Sequence, residues 1–334
     1  MSNDGSEPRR LRCSIVVRAY NEERHIGRLL EGILRQTIQE VEVLIVDSGS
    51  TDATLGIASR YPVRIVTIAP HEFTFGRSLN LGCSQTTADL IVVASAHVYP
   101  VYPDWLERLL APFDDPQVGL TYGRQRGVAG SRYSEQQQFA KMFPDESVGR
   151  QEHPLCNNAN AAIRRDLWAR RPYDETLSGL EDLEWATWMI QQGYAVSYVA
   201  EAEVAHVHQE TPRQLYNRYK REAMALRQIQ PWQAFHSWDF VRLFVSNALS
   251  DCWHALREGK GAGVIQDVLA FRAIQFWGTY QGFRHKGPLT RKLMEAFYYP
   301  RGLRVAESPR AGAMEAIDYS SLGKEQKPRE RVEG

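Results

Sequence analysis

The sequence predicts an α/β protein with a mainly parallel sheet flanked by helices and a helical C-terminal extension. Two observations carry that prediction. Short, continuously apolar runs end in polar loops and lead into segments of helical periodicity, again and again along the first hundred residues. From Thr211 onward the apolar positions recur at near-helical spacing instead, as in Phe240, Phe244, Val245, Ala248, Leu249, Cys252 and Leu256.

Residues Cys13 to Arg18 form the first β-rich run. Asn21 to Thr37 follows as an amphipathic helix, because Ile26, Leu29, Leu30, Ile33 and Leu34 fall on one face. A second strand, Val41 to Val46, ends at Asp47-Ser48-Gly49-Ser50-Thr51-Asp52, which mixes turn residues with helix N-cap residues ahead of Ala53 to Arg60. Val63 to Ile68 and Leu90 to Ala94 add strands whose unbroken apolarity suits burial on both faces of a sheet. Ligands of such sheets sit beyond the carboxyl ends of the strands, so the loops at 18–22, 47–52 and 95–100 are expected to converge. After Tyr122 the chain becomes polar and irregular through Arg150. Asn157 to Ile163 and Ala195 to Val199 then return as strands around a helix near Glu181 to Gln192, a half expected to build the acceptor side. The expected organisation is a flexible N-terminus (1–10), an α/β domain (11–210), a helical extension packed on it (211–300) and a disordered tail rich in charge, Pro, Gly and Ser (301–334).

Composition excludes several classes. The 334 residues carry Lys+Arg 40 against Asp+Glu 40, without the basic excess of a dedicated nucleic-acid binder. Apolar runs such as Leu90 to Ala94 are far shorter than the roughly 18–20 residues that span a bilayer, and the polar start MSNDGSEPRRLRCS lacks the core of a secretory signal. A cytoplasmic location is therefore expected. Cys13, Cys83, Cys156 and Cys252 have neither metal-type nor redox-type spacing and read as reduced thiols. The first loop, Arg18-Ala19-Tyr20-Asn21-Glu22, has no Gly-x-Gly-x-x-Gly, and no P-loop occurs, so dinucleotide redox and P-loop chemistry are disfavoured. A nucleotidyltransferase making activated sugars would need a Gly-rich basic loop near the N-terminus, which is absent.

Five segments, SIVVRAYNEE, VLIVDSGSTDAT, FGRSLNLG, LIVVASAHVYPVYPDWL and GLEDLEWATWMIQQGY, together resemble glycosyltransferase family 2 in content and order. The resemblance covers roughly residues 11 to 210. YGRQ at Tyr122 to Gln125 and PYDETL at Pro172 to Leu177 are similar to bacterial rhamnosyltransferase-like members. The resemblance implies a GT-A fold and an inverting glycosyltransferase. Such an enzyme moves one sugar from a nucleotide-diphospho-sugar to a hydroxyl of a glycan or lipid-linked acceptor, in polysaccharide or glycolipid assembly. Chemistry of that kind needs a base for the acceptor hydroxyl and a counter-charge for the departing diphosphate.

The resemblance makes Asp182, in Gly179-Leu180-Glu181-Asp182, the base, with Glu181 its nearest rival. A helix start keeps a carboxylate ionised and weakly basic, so burial or the charge of Glu181 is needed to raise it. For the donor it implies Ala19, Tyr20, Glu22, Asp47, Ser50, Arg77, Asn80, Ser95 and Ala96. Asp47 and Glu22 would accept hydrogen bonds from the nucleoside, unless they only cap helices; Arg77 suits a diphosphate or a surface ion pair. Where the family generally has Asp-x-Asp, this chain has Ser95-Ala96-His97. Imidazole is still a competent ligand for Mn²⁺, and a related Asp-x-His occurs in polypeptide N-acetylgalactosaminyltransferases. His97 is thus a ligand for a divalent cation, Mn²⁺ or Mg²⁺, or a direct phosphate contact, and His206 or His208 can supply a second ligand.

For the acceptor the resemblance points to Asn158 and Asn160, which turn chemistry explains almost as well, and to Trp185, which like Trp105 could stack on sugar or simply fill the core. Tyr216 to Arg221 and Phe283 to Lys292 interleave aromatics with positive charge, which suits peripheral contact with the cytoplasmic face of an inner membrane, although solvated helix faces account for them too. The rival reading is a catalytically impaired GT-A-fold protein that binds nucleotide or glycan, motivated by Ser95-Ala96-His97.

Overall fold

A computed structural model describes residues 12–299, so the expected flexible N-terminus (1–10) and disordered tail (301–334) lie outside the described residues. In chain order the elements are β1 (Cys13–Ala19), α1 (Ile26–Leu34), β2 (Val41–Asp47), α2 (Thr54–Ala58), β3 (Arg64–Thr67), α3 (Phe75–Ser84), β4 (Leu90–Ser95) and β5 (Val98–Pro100). Next come α4 (Trp105–Leu110), a 3₁₀ turn (Ala111–Asp114), β6 (Val118–Arg126), α5 (Tyr133–Met142), β7 (Val148–Gln151), β8 (Asn160–Arg164) and α6 (Arg165–Arg170). The chain then runs through α7 (Glu181–Gln191), β9 (Ala195–His206), α8 (Pro212–Ile229), α9 (Ser237–Arg257), α10 (Ala262–Arg284) and α11 (Arg291–Tyr298).

The strands form one sheet in the order β3-β2-β1-β4-β8-β6-β9-β5, with β7 also on β9. Pairing is parallel across β3-β2-β1-β4, as the crossover helices α1, α2 and α3 require. β8 runs antiparallel to both of its neighbours, β4 and β6, and β5 and β7 run antiparallel to β9, while β6 and β9 pair in parallel and run with β1–β4, so the sheet is mainly parallel with three reversed strands. The apolar runs did not reveal this, because a buried strand has the same composition in either direction. The stretch expected to be irregular after Tyr122 contains α5 and β7, and the last strand continues to His206.

Alternation along β1 divides the core into two layers. Ile15 and Val17 face one side, with Ile26, Leu29 and Ile33 of α1 and Leu106 of α4; Val16 faces the other, with Leu79 and Cys83 of α3 and Trp185 and Met189 of α7. A Cβ on Gly82 would lie 2.4 Å from Val16 Cγ1 and 3.0 Å from Val46 Cγ2, so α3 can approach β1 and β2 this closely only with glycine there. Helix α8 begins with a capping box, Thr211 with Gln214, and Pro212 in its first turn. It packs on α10, and the described residues form a single compact unit. No helix among them is long and apolar enough to cross a membrane.

Candidate active site

The carboxyl ends of β1, β2 and β4 bring the three expected loops together. Asp47 closes β2 almost without exposure (1 %), and its Oδ2 accepts the backbone N–H groups of Gly49 (2.9 Å) and Ser50 (3.0 Å). Its Oδ1 is buried and has no hydrogen-bond partner among the described residues, a lone pair left for a ligand donor. The Ser48 N–H donates to the Ala19 carbonyl, the Asn21 N–H to Ser50 Oγ and the Thr51 N–H to Asn21 Oδ1, so the first and second loops clamp each other. Asn21 takes a positive φ of 54° to do this. Tyr20 stands edge-on to Tyr299, 4.7 Å between centroids. Neither Glu22 nor Asp47 caps a helix: α1 and α2 start after His25 and Ala53.

Glu22 reaches the loop after β4, where its Oε1 lies 2.9 Å from His97 Nδ1. Residues far apart in sequence meet here because β5 pairs with β9 in the register Val98 to His206, and the Val207 N–H donates to the His97 carbonyl. His97, His206 and His208 thereby offer nitrogens all within 4.8 Å of one another. Each ring is oriented from behind: His206 Nδ1 lies 2.6 Å from Gln125 Oε1, and His208 Nδ1 lies 2.6 Å from Glu135 Oε1. With every Nδ1 engaged, Nε2 is the nitrogen left on each ring, and that of His206 is buried without a hydrogen-bond partner. Burial, then the neighbouring imidazoles His208 and His97, hold His206 well below the usual histidine range, in the neutral form that ligates metal. For His97 burial acts downward, but the charge and hydrogen bond of Glu22 outweigh it and raise the pKa. Three imidazoles with oriented rings and an orphaned buried nitrogen fit a divalent transition cation.

Asp182 stands in the first turn of α7, after Leu180 in the left-handed region at φ 58°. Its Oδ2 accepts the Asn158 N–H (3.0 Å) and its Oδ1 the Leu183 N–H (2.8 Å). Its pKa is pushed up to about 7, first by burial and then by the Glu181 charge, against those two N–H groups and Arg18. Glu181 has its own cation, Arg18 Nη1 at 3.1 Å, and the Asn158 amide at 3.5 Å. The Arg18 charge acts on both Asp182 and His97, which ties the carboxylate pair and the histidines into one site.

Several expected ligand contacts are turned inward instead. Asn80 donates to the Tyr173 carbonyl and Glu175 and accepts from Trp168 Nε1 and the Tyr173 N–H, so its amide is used up joining α3 to the 168–175 segment. Asn160 is fully buried between Trp105 Nε1 and the carbonyls of Arg124 and Ala202. Trp185 is fully buried, with Nε1 donating to the Arg171 carbonyl, and cannot stack on an acceptor. Arg77 pairs with Glu72 at 3.2 Å on the surface. Ser95 is half-buried beside the Ala159 carbonyl, Ala96 is buried, and Asn158 serves the two carboxylates. Sequence reasoning missed Arg18, Gln125 and Glu135. The first two lie inside quoted motifs, whereas Glu135 sits in a stretch with no signal.

Residues 14–170 match the family model of glycosyl transferase family 2. The O-antigen chain rhamnosyltransferase WbaN of Salmonella anatum is 32 % identical over 196 residues, 55 % of this chain and 62 % of that protein, just under two thirds of its length. The O-antigen chain rhamnosyltransferase RfbN of Salmonella typhimurium is 29 % identical over 228 residues, 63 % of this chain and 70 % of that one. Among solved structures, mannosyltransferase PcManGT of Pyrobaculum calidifontis, in complex with GDP-Man and Mn²⁺, superposes with a TM-score of 0.53 at 21 % identity, covering 82 % of this chain and 73 % of that one. The fold is that of GT-A glycosyltransferases, and residues 14–170, just under half of the chain, are similar to glycosyl transferase family 2.

Proposed function

We propose that the chain is an inverting glycosyltransferase that moves one sugar from a nucleotide-diphospho-sugar to a hydroxyl of a glycan or lipid-linked saccharide in polysaccharide assembly. The observation that carries this reading is Asp182, a carboxylate made basic by burial and by Glu181 on the same site as a convergent histidine cluster. Asp182 takes the proton of the acceptor hydroxyl as its oxygen bonds to the anomeric carbon; the bond from that carbon to the donor phosphate breaks, and the nucleoside diphosphate leaves with the electron pair. Asp47 Oδ1 accepts a hydrogen bond from the nucleoside, and Asn158 and Arg18 hold the Asp182–Glu181 pair in place. His97, His206 and His208 would hold a divalent cation, Mn²⁺ fitting three imidazoles better than Mg²⁺, and that cation supplies positive charge for the leaving diphosphate. The rhamnosyltransferase names of the two relatives support a deoxyhexose donor such as dTDP-rhamnose.

The test is donor turnover by wild type and Asp182→Asn. Loss of a general base lowers kcat by about 10²–10⁴-fold while nucleotide affinity stays within about twofold. Equal background rates in the two proteins would sink the proposal. Melting with UDP, dTDP or GDP, each with and without Mn²⁺, identifies the donor base, because only a ligand of the folded form raises Tm.

A further inference from the structure

The eight tryptophans divide sharply. Trp105, Trp168 and Trp185 are 0, 9 and 0 % exposed and Trp188 is half-buried, whereas Trp232, Trp238, Trp253 and Trp277 are 78, 70, 47 and 46 % exposed. All four exposed indoles lie on or beside the α9–α10 hairpin. Along α9 the exposed apolar side chains Trp238, Val241, Val245, Leu249, Trp253 and Leu256 follow each other at steps of three and four, one unpartnered stripe of a helix. The hairpin is closed at one end by Phe240 against Trp277 (5.9 Å) and Phe235 against Phe283 (5.7 Å).

Charge distinguishes the occupants this stripe could take. Residues 231–295 hold eight Lys and Arg (Arg242, Arg257, Lys260, Arg272, Arg284, Lys286, Arg291, Lys292) against five Asp and Glu, in a chain that is neutral as a whole, and Arg272 and Asp251 form a buried pair that leaves seven cations and four acids for the surface. Asp251 is engaged with Arg272, Asp267 with Arg132, Glu258 with the Tyr133 hydroxyl and Lys260, Asp239 with the His236 N–H and Arg242, and Glu295 with Arg291, which leaves Arg257, Arg284, Lys286 and Lys292 as the cations without a carboxylate partner among the described residues. Arg257 lies 3.7 Å over the Trp253 ring, the amphipathic pairing of an indole with a cation. The stretch Tyr216 to Arg221 is largely turned inward: Arg218 is paired with Glu135 and Glu210, Tyr219 is buried and Arg221 lies against Phe75, which leaves Tyr216, Asn217 and Lys220 partly exposed.

We propose that the outer face of the α9–α10 hairpin docks this protein on the surface of an anionic phospholipid bilayer. Indoles settle at the headgroup level, aliphatic side chains enter just beneath it, and surplus cations meet lipid phosphates. A second copy fits less well, because two faces with the same positive excess repel. This goes beyond the transferase reading and does not depend on it, since vesicle binding needs neither donor nor turnover.

The test is flotation of the full chain with phosphatidylcholine vesicles, with and without a third of phosphatidylglycerol, at low and high salt. Binding is expected to the anionic vesicles, weakening with salt, and brominated lipid should quench part of the tryptophan emission. Trp238→Ser with Leu249→Ser, and separately Arg284→Glu with Lys286→Glu, should each weaken binding about tenfold or more with unchanged melting, all four positions being exposed. No binding to anionic vesicles, or binding that neither pair of substitutions alters, overturns the proposal. So does a wild-type dimer in sedimentation that the Trp238/Leu249 pair makes monomeric without changing vesicle binding.

Discussion

Arg18 separates two adjacent carboxylates into different roles. It lies 3.1 Å from Glu181, whose side chain is 6 % exposed, and leaves Asp182 to bear the cost of burial next to a charged neighbour. Burial and the Glu181 charge push Asp182 up to about 7, so the proposed transfer should slow as pH drops below that value, where this carboxylate is protonated. The stability consequence has a definite sign. The folded pKa is above the unfolded value of about 3.9, so from about pH 4 to about 7 the folded state holds the extra proton and stability falls as pH rises. Melting of Asp182→Asn against wild type should shift in favour of the variant across that window; a difference independent of pH would show that Asp182 is not raised. At the histidines, Mn²⁺ at a hundred times its Kd should stabilise the wild type by about 2.7 kcal/mol, read as a raised Tm, and His206→Ala, which removes the orphaned nitrogen, should abolish that stabilisation. An undiminished gain would move the cation elsewhere.

Elements decide which residues can meet. The β5–β9 ladder, only three residues long on β5, sets His97 beside His206, and the residue after the strand carries the chain to His208. Spacing in the sequence pairs His206 with His208 but gives no distance to His97, which depends on that register. α3 illustrates the opposite case, where a local motif is legible but its role is not. FGRSLNLG reads as a ligand segment, yet its Asn80 is a staple to Tyr173 and Trp168, and its Gly82 lets the helix lie on β1 and β2. Gly82→Ala should destabilise by about 1–3 kcal/mol in urea unfolding, because a Cβ at 2.4 Å from Val16 forces the helix off the sheet. A neutral effect would show that α3 can shift freely.

At the scale of the whole molecule, buried polar contacts join the C-terminal helices to the sheet layer. Arg272 on α10 pairs with Asp251 on α9 at 2.8 Å, both nearly unexposed, and also donates to the Ser134 carbonyl of α5. Arg272→Met leaves Asp251 buried without its cation and should cost about 3–5 kcal/mol, read by denaturant midpoint. Replacing Asp251 by Leu in the same chain should recover much of that loss. If the single substitution is neutral, water rather than Arg272 satisfies Asp251.

From the amino-acid order come the alternation of strands and helices, the ordered motifs, the loops that converge and the choice of Asp182, Asp47 and His97 as candidate site residues. Those features are local: periodicity, turn chemistry and strand-end loops are written within about twenty residues. Only the folded chain shows that Asn80, Asn160 and Trp185 face inward, that Glu135 and Gln125 orient the histidines, and that β8 runs against both of its neighbours. Asparagine and tryptophan suit a ligand or a core equally well, and only the partners that fill their hydrogen bonds distinguish the two. Exposure of the four C-terminal indoles was hidden for the same reason, since an amphipathic stripe does not state whether another element will cover it.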